Sequence, residues 1–295
     1  MREFILEIPK SLEGFEIKQI LKNHFGFSSS LITDLKKGDY IMLCGKKEFV
    51  TKTVSEGDIL KIVLPDSRSE NITPENIPLD ILFEDEDLLI VNKPPKMPTH
   101  PSVYHNTGTV ANAVMFRYRD IPFTFRAPSR LDRDTSGVLI IAKNAFAAMK
   151  ISNQIKEGSF RKEYLALCTG TPDPPEGTIS APIKREGAGI IKRQISPDGK
   201  PAVTDYSVIE SRGGFSLIRL FPKTGRTHQI RLHLAYLGVP IYADFLYGTD
   251  VENERIRLHC HRVTFTHPAT NEVTVITAPL PEDMSISYLL SEKPE

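Results

Sequence analysis

The chain has 295 residues, 40% of them apolar and 25% charged, with 37 Lys+Arg exactly offset by 37 Asp+Glu. That is the make-up of an ordinary globular protein long enough for two domains with real cores. No apolar run reaches the length of a membrane helix, the start lacks the apolar stretch of a secretory signal, and Cys44, Cys168 and Cys260 show no C-x-x-C spacing, so a disulfide framework and a zinc ribbon are not expected and a reducing cytoplasm is.

Residues 1–66 read as a compact unit. "IKQILKNHFG" and "SSSLITDLKKGD" have the pattern of two short helices, each ended by a glycine. "YIMLCG" and "ILKIVLP" follow as strands. The order "DLKKGDYIMLCGKK…VSEGDILKIVLP" resembles the small S-four-like RNA-binding domain, and the resemblance implies a small α+β N-terminal RNA-binding domain. Its ten Lys/Arg against ten Asp/Glu leave open a plain α+β module that packs on the rest.

Residues 67–79, "SRSENITPENIPL", are polar with two prolines, the composition of a linker. From 80 onward short apolar runs alternate with turns. "DLLIVNKPP", "GVLIIAK", "EYLALCTG", "FSLIRLF" and "EVTVITAPL" read as strands. "NAFAAMKISNQIKEG" reads as a helix with Asn144 as N-cap and Gly158 at its end; Ala148, Ile151 and Ile155 share a face. "GRTHQIRLHLAYLG" reads as a second helix burying Ile230, Leu234 and Leu237 and placing Thr227 and Arg231 on one side. Strands outnumber helices and do not alternate with them regularly, so the fold class is α+β with a mixed, largely antiparallel central sheet flanked by helices and loops. The expected organisation is 1–66, a linker at 67–79, a main domain over 80–285 and a tail at 286–295.

The zero net charge hides local excesses. Residues 126–166 carry eight Lys/Arg to four Asp/Glu, and residues 184–233 carry ten to four. Basic stretches of this kind are the footprint of a phosphate backbone, although the same charges could be a scattered solvated surface. Phosphate-cradling loops are absent from the sequence, and Ser136 has no G-x-S-x-G around it. "HCH" at 259–261 lacks partners at metal-ligand spacing, so neither a metal nor a cofactor is expected.

The densest chemistry is in "APSRLDRDTSGVLIIAKN", residues 127–144. Asp132 and Asp134 lie among Arg130 and Arg133 just before an apolar strand. A structural ion-pair network is one reading. The other is a carboxylate kept ionised beside a guanidinium and able to act on a sugar carbon. Residue types alone do not separate the two acids. Thr135-Ser136-Gly137 reads as a turn that fixes the segment before it.

"RLDRDTSG" resembles the motif of the RluA-type pseudouridine synthases, usually His-Arg-Leu-Asp-x-x-Thr-Ser-Gly. "ILFEDEDLLIVNKPPKMPTHPS", "RKEYLALCTG", "GKPAVTDYSVIE", "PKTGRTHQIRLHLAYLGVPIYADFLYG" and "LHCHRVTFTHP" resemble that family's other segments, in order, over nearly all of 80–280. The resemblance implies a pseudouridine synthase fold and the isomerisation of uridine in RNA, with ribosomal RNA of the large subunit as first guess and transfer RNA as second. It implies Asp132 as nucleophile, Tyr164 as the active-site tyrosine and Arg231 as the nucleophile's basic partner. Arg130 would take the flipped nucleotide's place, and Lys162, Arg226 and His228 would contact phosphate or fix the turn. The implied enzyme is a cytoplasmic monomer that touches no membrane. Two positions depart from the family pattern: Ser129 stands where His is usual and Ala243 where Gly is common. A non-catalytic RNA-binding protein of the same fold, and a glycoside hydrolase using Asp132 and Asp134, are the competing readings.

Overall fold

The computed structural model describes residues 2–64, 68–102, 105–187 and 189–291. The N-terminal unit consists of β1 (Arg2–Glu7), α1 (Ile17–Asn23), α2 (Ser29–Leu35), β2 (Ile41–Leu43), β3 (Lys46–Lys47) and β4 (Ile59–Leu64). Its antiparallel sheet has the order β1-β4-β2-β3. The two helices lie where their apolar spacing puts them, and Ser28 caps α2 by accepting from the Leu31 N–H at 3.2 Å. Their ends differ from expectation. Helix α1 stops at Asn23, three residues before the left-handed turn at Gly26, and Gly38 takes no left-handed turn after α2. Strand β1, whose Phe4 and Leu6 face inward, was not anticipated.

This unit does not hang from its linker. Its core of Ile17, Leu21, Phe27, Leu60 and Ile62 is completed by Phe146 from the second unit. The Phe146 ring meets Phe4 edge-on at 4.8 Å between centroids. Beside it Arg2 pairs with the buried Asp87 at 3.1 Å. Residues 68–79 form no helix or strand, yet they are tied down: Arg68 donates to the Arg119 carbonyl, the Ser69 N–H to that of Phe123, and Glu75 accepts from the Gly108 N–H. Position 67 of the expected linker lies outside the described residues.

The second unit contains β5 (Ile81–Glu84), β6 (Leu88–Lys93), α3 (Val110–Arg117), β7 (Ser136–Ala142), α4 (Ala145–Glu157), β8 (Arg161–Thr169), β9 (Glu176–Ser180), β10 (Ile183–Arg185), β11 (Arg193–Ile195), β12 (Val203–Arg212), β13 (Phe215–Pro222), α5 (Gln229–Tyr236), β14 (Leu258–Thr266), β15 (Val273–Thr277) and α6 (Ile286–Ser291). Nine strands form one sheet in the order β5-β6-β7-β14-β8-β13-β12-β9, with β15 on β14. Only the β7–β14 pairing is parallel, so the sheet is mixed and largely antiparallel, as the sequence implies. All seven residues of β7 are buried, which is why its run is continuously apolar rather than alternating.

Helix α4 is capped as read: Asn144 accepts from the Ala147 N–H at 2.9 Å and Gly158 closes the helix at φ 77°. Its Ile151 is buried, while Ile155 reaches solvent. Helix α3, held by reciprocal bonds between Thr109 and Asn112, and strands β5 and β9–β12 were not anticipated. The expected tail from 286 is instead helical to Ser291, and its Ile286 and Leu289 pack on Leu167 and Phe215. Helix α5 begins at Gln229 because His228 turns the chain at φ 58°. Thr227 therefore lies outside the helix and does not share a face with Arg231.

Candidate active site

The loop that leads into β7 is held by its backbone. Four successive carbonyls each have a donor: Arg130 O from Lys162 Nζ at 3.4 Å, Leu131 O from Thr99 Oγ1 at 3.1 Å, Asp132 O from the Thr135 N–H at 3.2 Å, and Arg133 O from Lys93 Nζ at 2.9 Å. The Thr-Ser-Gly segment does more than turn. The Ser136 hydroxyl lies 2.9 Å from His259 Nδ1, locking β7 to β14. Gly137 has φ 108°, and a Cβ there would lie 2.2 Å from the Cys260 carbonyl oxygen, so the close approach of the two parallel strands requires glycine.

Lys93 ends β6 with no exposed surface. Its ammonium donates to Pro94 O and Met97 O at 2.8 Å as well as to Arg133 O, so all three N–H groups have carbonyl acceptors. Burial pulls its pKa down to about 7, opposed by the charges of Asp134 and Asp132. The sequence reading passed over this lysine. Its signal was a cation closing an otherwise apolar strand.

The structure separates the two acids. Asp134 is buried and accepts from Arg133 through both oxygens, at 3.0 and 3.2 Å. Asp132 is half-buried, and no side chain among the described residues hydrogen-bonds its carboxylate. Its charge nevertheless acts on Lys93, Lys162, Tyr164, His228 and Arg231, raising the pKa of each against the opposing effect of burial, or adding to that effect for the tyrosine. The Asp132 carboxylate thus lies within electrostatic reach of groups on three segments, β6, β8 and the start of α5.

Arg231 is 3% exposed at the start of α5. Its fork is taken by Asp244, with Nε to Oδ2 at 2.7 Å and Nη2 to Oδ1 at 2.6 Å. The expected direct pairing with Asp132 is replaced by this bidentate pair, and Asp132 acts on the guanidinium from further away. Burial opposes the arginine's charge, but the Asp244 bonds outweigh it and raise its pKa. Asp244 in turn accepts from the Leu246 and Tyr247 N–H groups. The guanidinium also lies 5.5 Å from the Phe245 ring centre and 5.3 Å from that of Tyr247. Ala243, just before this acid, adopts φ 59°, a left-handed conformation that suits glycine better.

Tyr164 is buried on β8 opposite Cys260, and burial raises its pKa well above the ordinary value, so it stays a phenol. Lys162 and His228, expected to contact phosphate or fix the turn, both have partners within the protein. Lys162 is half-buried and donates to the Arg130 carbonyl. His228 is buried with Nδ1 2.9 Å from the Tyr247 hydroxyl, and burial lowers its pKa, so it too fixes the local structure. Arg130 and Arg226 are exposed, as RNA contacts would be. In "HCH" the His259 and His261 rings lie 6.1 Å apart; His259 binds Ser136 and His261 the Ala278 carbonyl. Among the described residues no cluster could hold a metal ion. A cavity of about 310 Å³ opens alongside the loop, lined by Arg133, Asp134, Phe245 and Arg255 among others.

Residues 87–236 match the family described as RNA pseudouridylate synthase. Over 265 residues the chain is 40% identical to the uncharacterized RNA pseudouridine synthase YjbO of Bacillus subtilis, covering 88% of this chain and 94% of that one. It is 33% identical to the ribosomal large subunit pseudouridine synthase D of Haemophilus influenzae, covering 94% and 91%. Among solved structures it is similar to human RNA pseudouridylate synthase domain containing 1, at TM-score 0.60 and 27% identity, over 74% of this chain and 95% of that one.

Proposed function

The chain belongs to the RNA pseudouridylate synthase family, enzymes that isomerise uridine in RNA to pseudouridine, and from that premise we propose that Asp132 is the carboxylate that opens the reaction here. The target uridine is turned out of the RNA so that its ribose meets Asp132. Asp132 acts on its ribose, by bonding to the anomeric carbon or by taking the proton of the neighbouring carbon, and the bond from the anomeric carbon to uracil N1 breaks. The uracil leaves as a stabilised anion, turns, and bonds through C5 to the anomeric carbon, as the bond to Asp132 breaks or the proton Asp132 took returns to the neighbouring carbon; C5 then loses its proton and N1 gains one. Substrate and product are isomers, so the sequence of steps consumes no electron carrier and no group donor.

The observation that carries this reading is the contrast between the two acids: Asp134 is paired with Arg133, whereas among the described residues Asp132 has no hydrogen-bonding side chain, on a loop whose carbonyls from 130 to 133 are held. The same contrast argues against a glycoside hydrolase, which needs two working carboxylates. Arg231, kept cationic by Asp244, stabilises negative charge as it develops on the leaving base. The Tyr164 ring offers a stacking face for the flipped uracil. The exposed Arg130 fills the gap in the RNA and recovers part of the few kcal/mol that unstacking costs.

Relatives named for the ribosomal large subunit support large-subunit ribosomal RNA as substrate. The N-terminal unit adds RNA affinity. We read the enzyme as a cytoplasmic monomer; its three cysteines are all unpaired, which a reducing compartment maintains.

The test compares Asp132→Asn with Asp134→Asn for uridine conversion on total RNA. Asp132→Asn is expected to lose at least about a thousandfold and Asp134→Asn to remain active. The reverse result would overturn the assignment. Pseudouridine mapping with and without the protein identifies the RNA; new sites confined to transfer RNA would refute the ribosomal substrate.

A further inference from the structure

Strands β10 and β11 form a separate hairpin that pairs Ile183 with Ile195 and Arg185 with Arg193. It stands off the nine-stranded sheet and is tied back at its base, where Ile183 and Lys200 exchange backbone hydrogen bonds at 3.0 and 2.9 Å. Between the hairpin and the turn before α5 runs a groove of about 460 Å³. Its lining holds five cations, Lys184, Arg185, Arg193, Lys200 and Arg226, against one acid, Asp198. Asp198 reaches only Lys184, at 3.7 Å, and Arg226 donates to the Pro201 carbonyl. Arg185 and Lys200 have no ion-pair partner among the described residues.

Arg193 adds an independent sign. Its Nη1 is buried without a hydrogen-bond acceptor among the described residues. Leaving a buried donor unpaired is costly, the more so when it is charged, so such a group marks a place where an acceptor is missing. The backbone of the same residue leads to the active site. Arg193 N–H donates to the Tyr247 hydroxyl at 2.8 Å; that hydroxyl meets His228 Nδ1 at 2.9 Å, and the Tyr247 ring lies beneath Arg231. The Tyr247 N–H supports Asp244, the acid that fixes Arg231.

We propose that this groove binds a backbone phosphodiester of the RNA next to the flipped uridine, and that Arg193 passes its occupancy through Tyr247 to the setting of Arg231. The ligand class follows from the lining: an excess of cations with an unpaired guanidinium N–H calls for an anionic oxygen, and a phosphodiester supplies two. The inference rests on the reading of the chain as an RNA-modifying enzyme. It makes the hairpin a positioning element, since none of its residues touches the reacting atoms.

The experiment uses the full chain and an RNA transcript that the wild-type protein modifies, with KM and kcat separated over a range of salt. Arg185→Gln/Lys200→Gln is expected to raise KM about tenfold or more and to reduce the slope of log affinity against log salt by about one, with little change in kcat. Tyr247→Phe keeps the ring under Arg231 but loses both hydroxyl bonds; kcat falls while KM stays near wild type. Lys192→Gln, on the same hairpin but outside the groove lining, controls for general charge loss and should leave the salt slope within a few tenths of wild type. A double variant with wild-type KM and salt slope overturns the groove, and a Tyr247→Phe enzyme with wild-type kcat overturns the coupling. A wild-type protein that converts no uridine would instead sink the functional reading itself.

Discussion

Several cations of the N-terminal unit stand in water: Lys46 and Lys52 are exposed and unpaired among the described residues, and Lys47 meets Asp39 on the surface. In the second unit the decisive cations are inside. Lys93 has no exposed surface and all three of its N–H groups are on carbonyls, and Arg231 is 3% exposed and held through Nε and Nη2 by a carboxylate. Exposed charge is screened within about 10 Å at ordinary salt and gives diffuse attraction to a polyanion. Buried, fully bonded charge is held in one geometry and gives a preorganised site. We propose that the exposed cations serve affinity and the buried ones chemistry, and substitutions of each kind should behave accordingly.

The largest effect on folding is expected at Asp244. Asp244→Asn leaves a buried guanidinium without its counter-charge, and loss of one partner of such a pair costs about 3–5 kcal/mol. Denaturant unfolding measures it, and uridine conversion by the folded fraction should fall as well. A variant as stable as wild type would mean that Arg231 does not depend on this acid.

Lys93 gives a pH signature. Its pKa is about 7 in the folded protein and 10.5 for an ordinary lysine. Between those values the unfolded chain keeps the proton and the folded chain releases it, so stability rises with pH across that window. The rise is roughly 1.4 kcal/mol per pH unit while the titration proceeds. Lys93→Met should be less stable than wild type, because three carbonyls lose their donor, and should lack this rise. Unfolding at pH 7 and pH 9.5 for both proteins decides it; parallel pH dependence would show that Lys93 does not titrate there.

Charge removal in the N-terminal unit should be mild. Lys46→Gln/Lys52→Gln is expected to weaken RNA binding several-fold at most and to lower the salt slope by about one to two, with kcat unchanged. A large fall in kcat would break the division between the units. Smallest is Ala243→Gly, which relieves the left-handed alanine beside Asp244 and should stabilise the protein by roughly 0.5–1 kcal/mol, read as a rise in unfolding midpoint.

Much of this molecule is legible in its residues, for identifiable reasons. The strands around "LLIV" and "GVLIIA" and the capped helix after Asn144 carry strong periodic or punctuating signals, and they form as read. Strands β9–β12 do not, because they are short or face solvent on one side, and their polarity resembles that of loops. At the site, the resemblance to the family's motifs pointed to Asp132, Tyr164 and Arg231, and in the fold the charge of Asp132 acts on the other two. What spacing could not supply is partnership. That Asp244 rather than Asp132 takes the Arg231 fork, and that Lys93 ties its own loop to Arg133, 40 residues on, depends on contacts across the sheet. The left-handed turn at His228 also removed Thr227 from the helix, a backbone event with no periodic signature.

The four held carbonyls of residues 130–133 have a mechanical consequence. They immobilise the main chain on both sides of Asp132 while nothing among the described residues clamps its carboxylate, so the Cα is a fixed pivot and χ1 and χ2 remain free to turn. During the isomerisation the sugar carbon exchanges one bond for another as the uracil swings beneath it. A carboxylate on a short arm about a stationary axle can follow that carbon through the exchange without any movement of the sheet behind it.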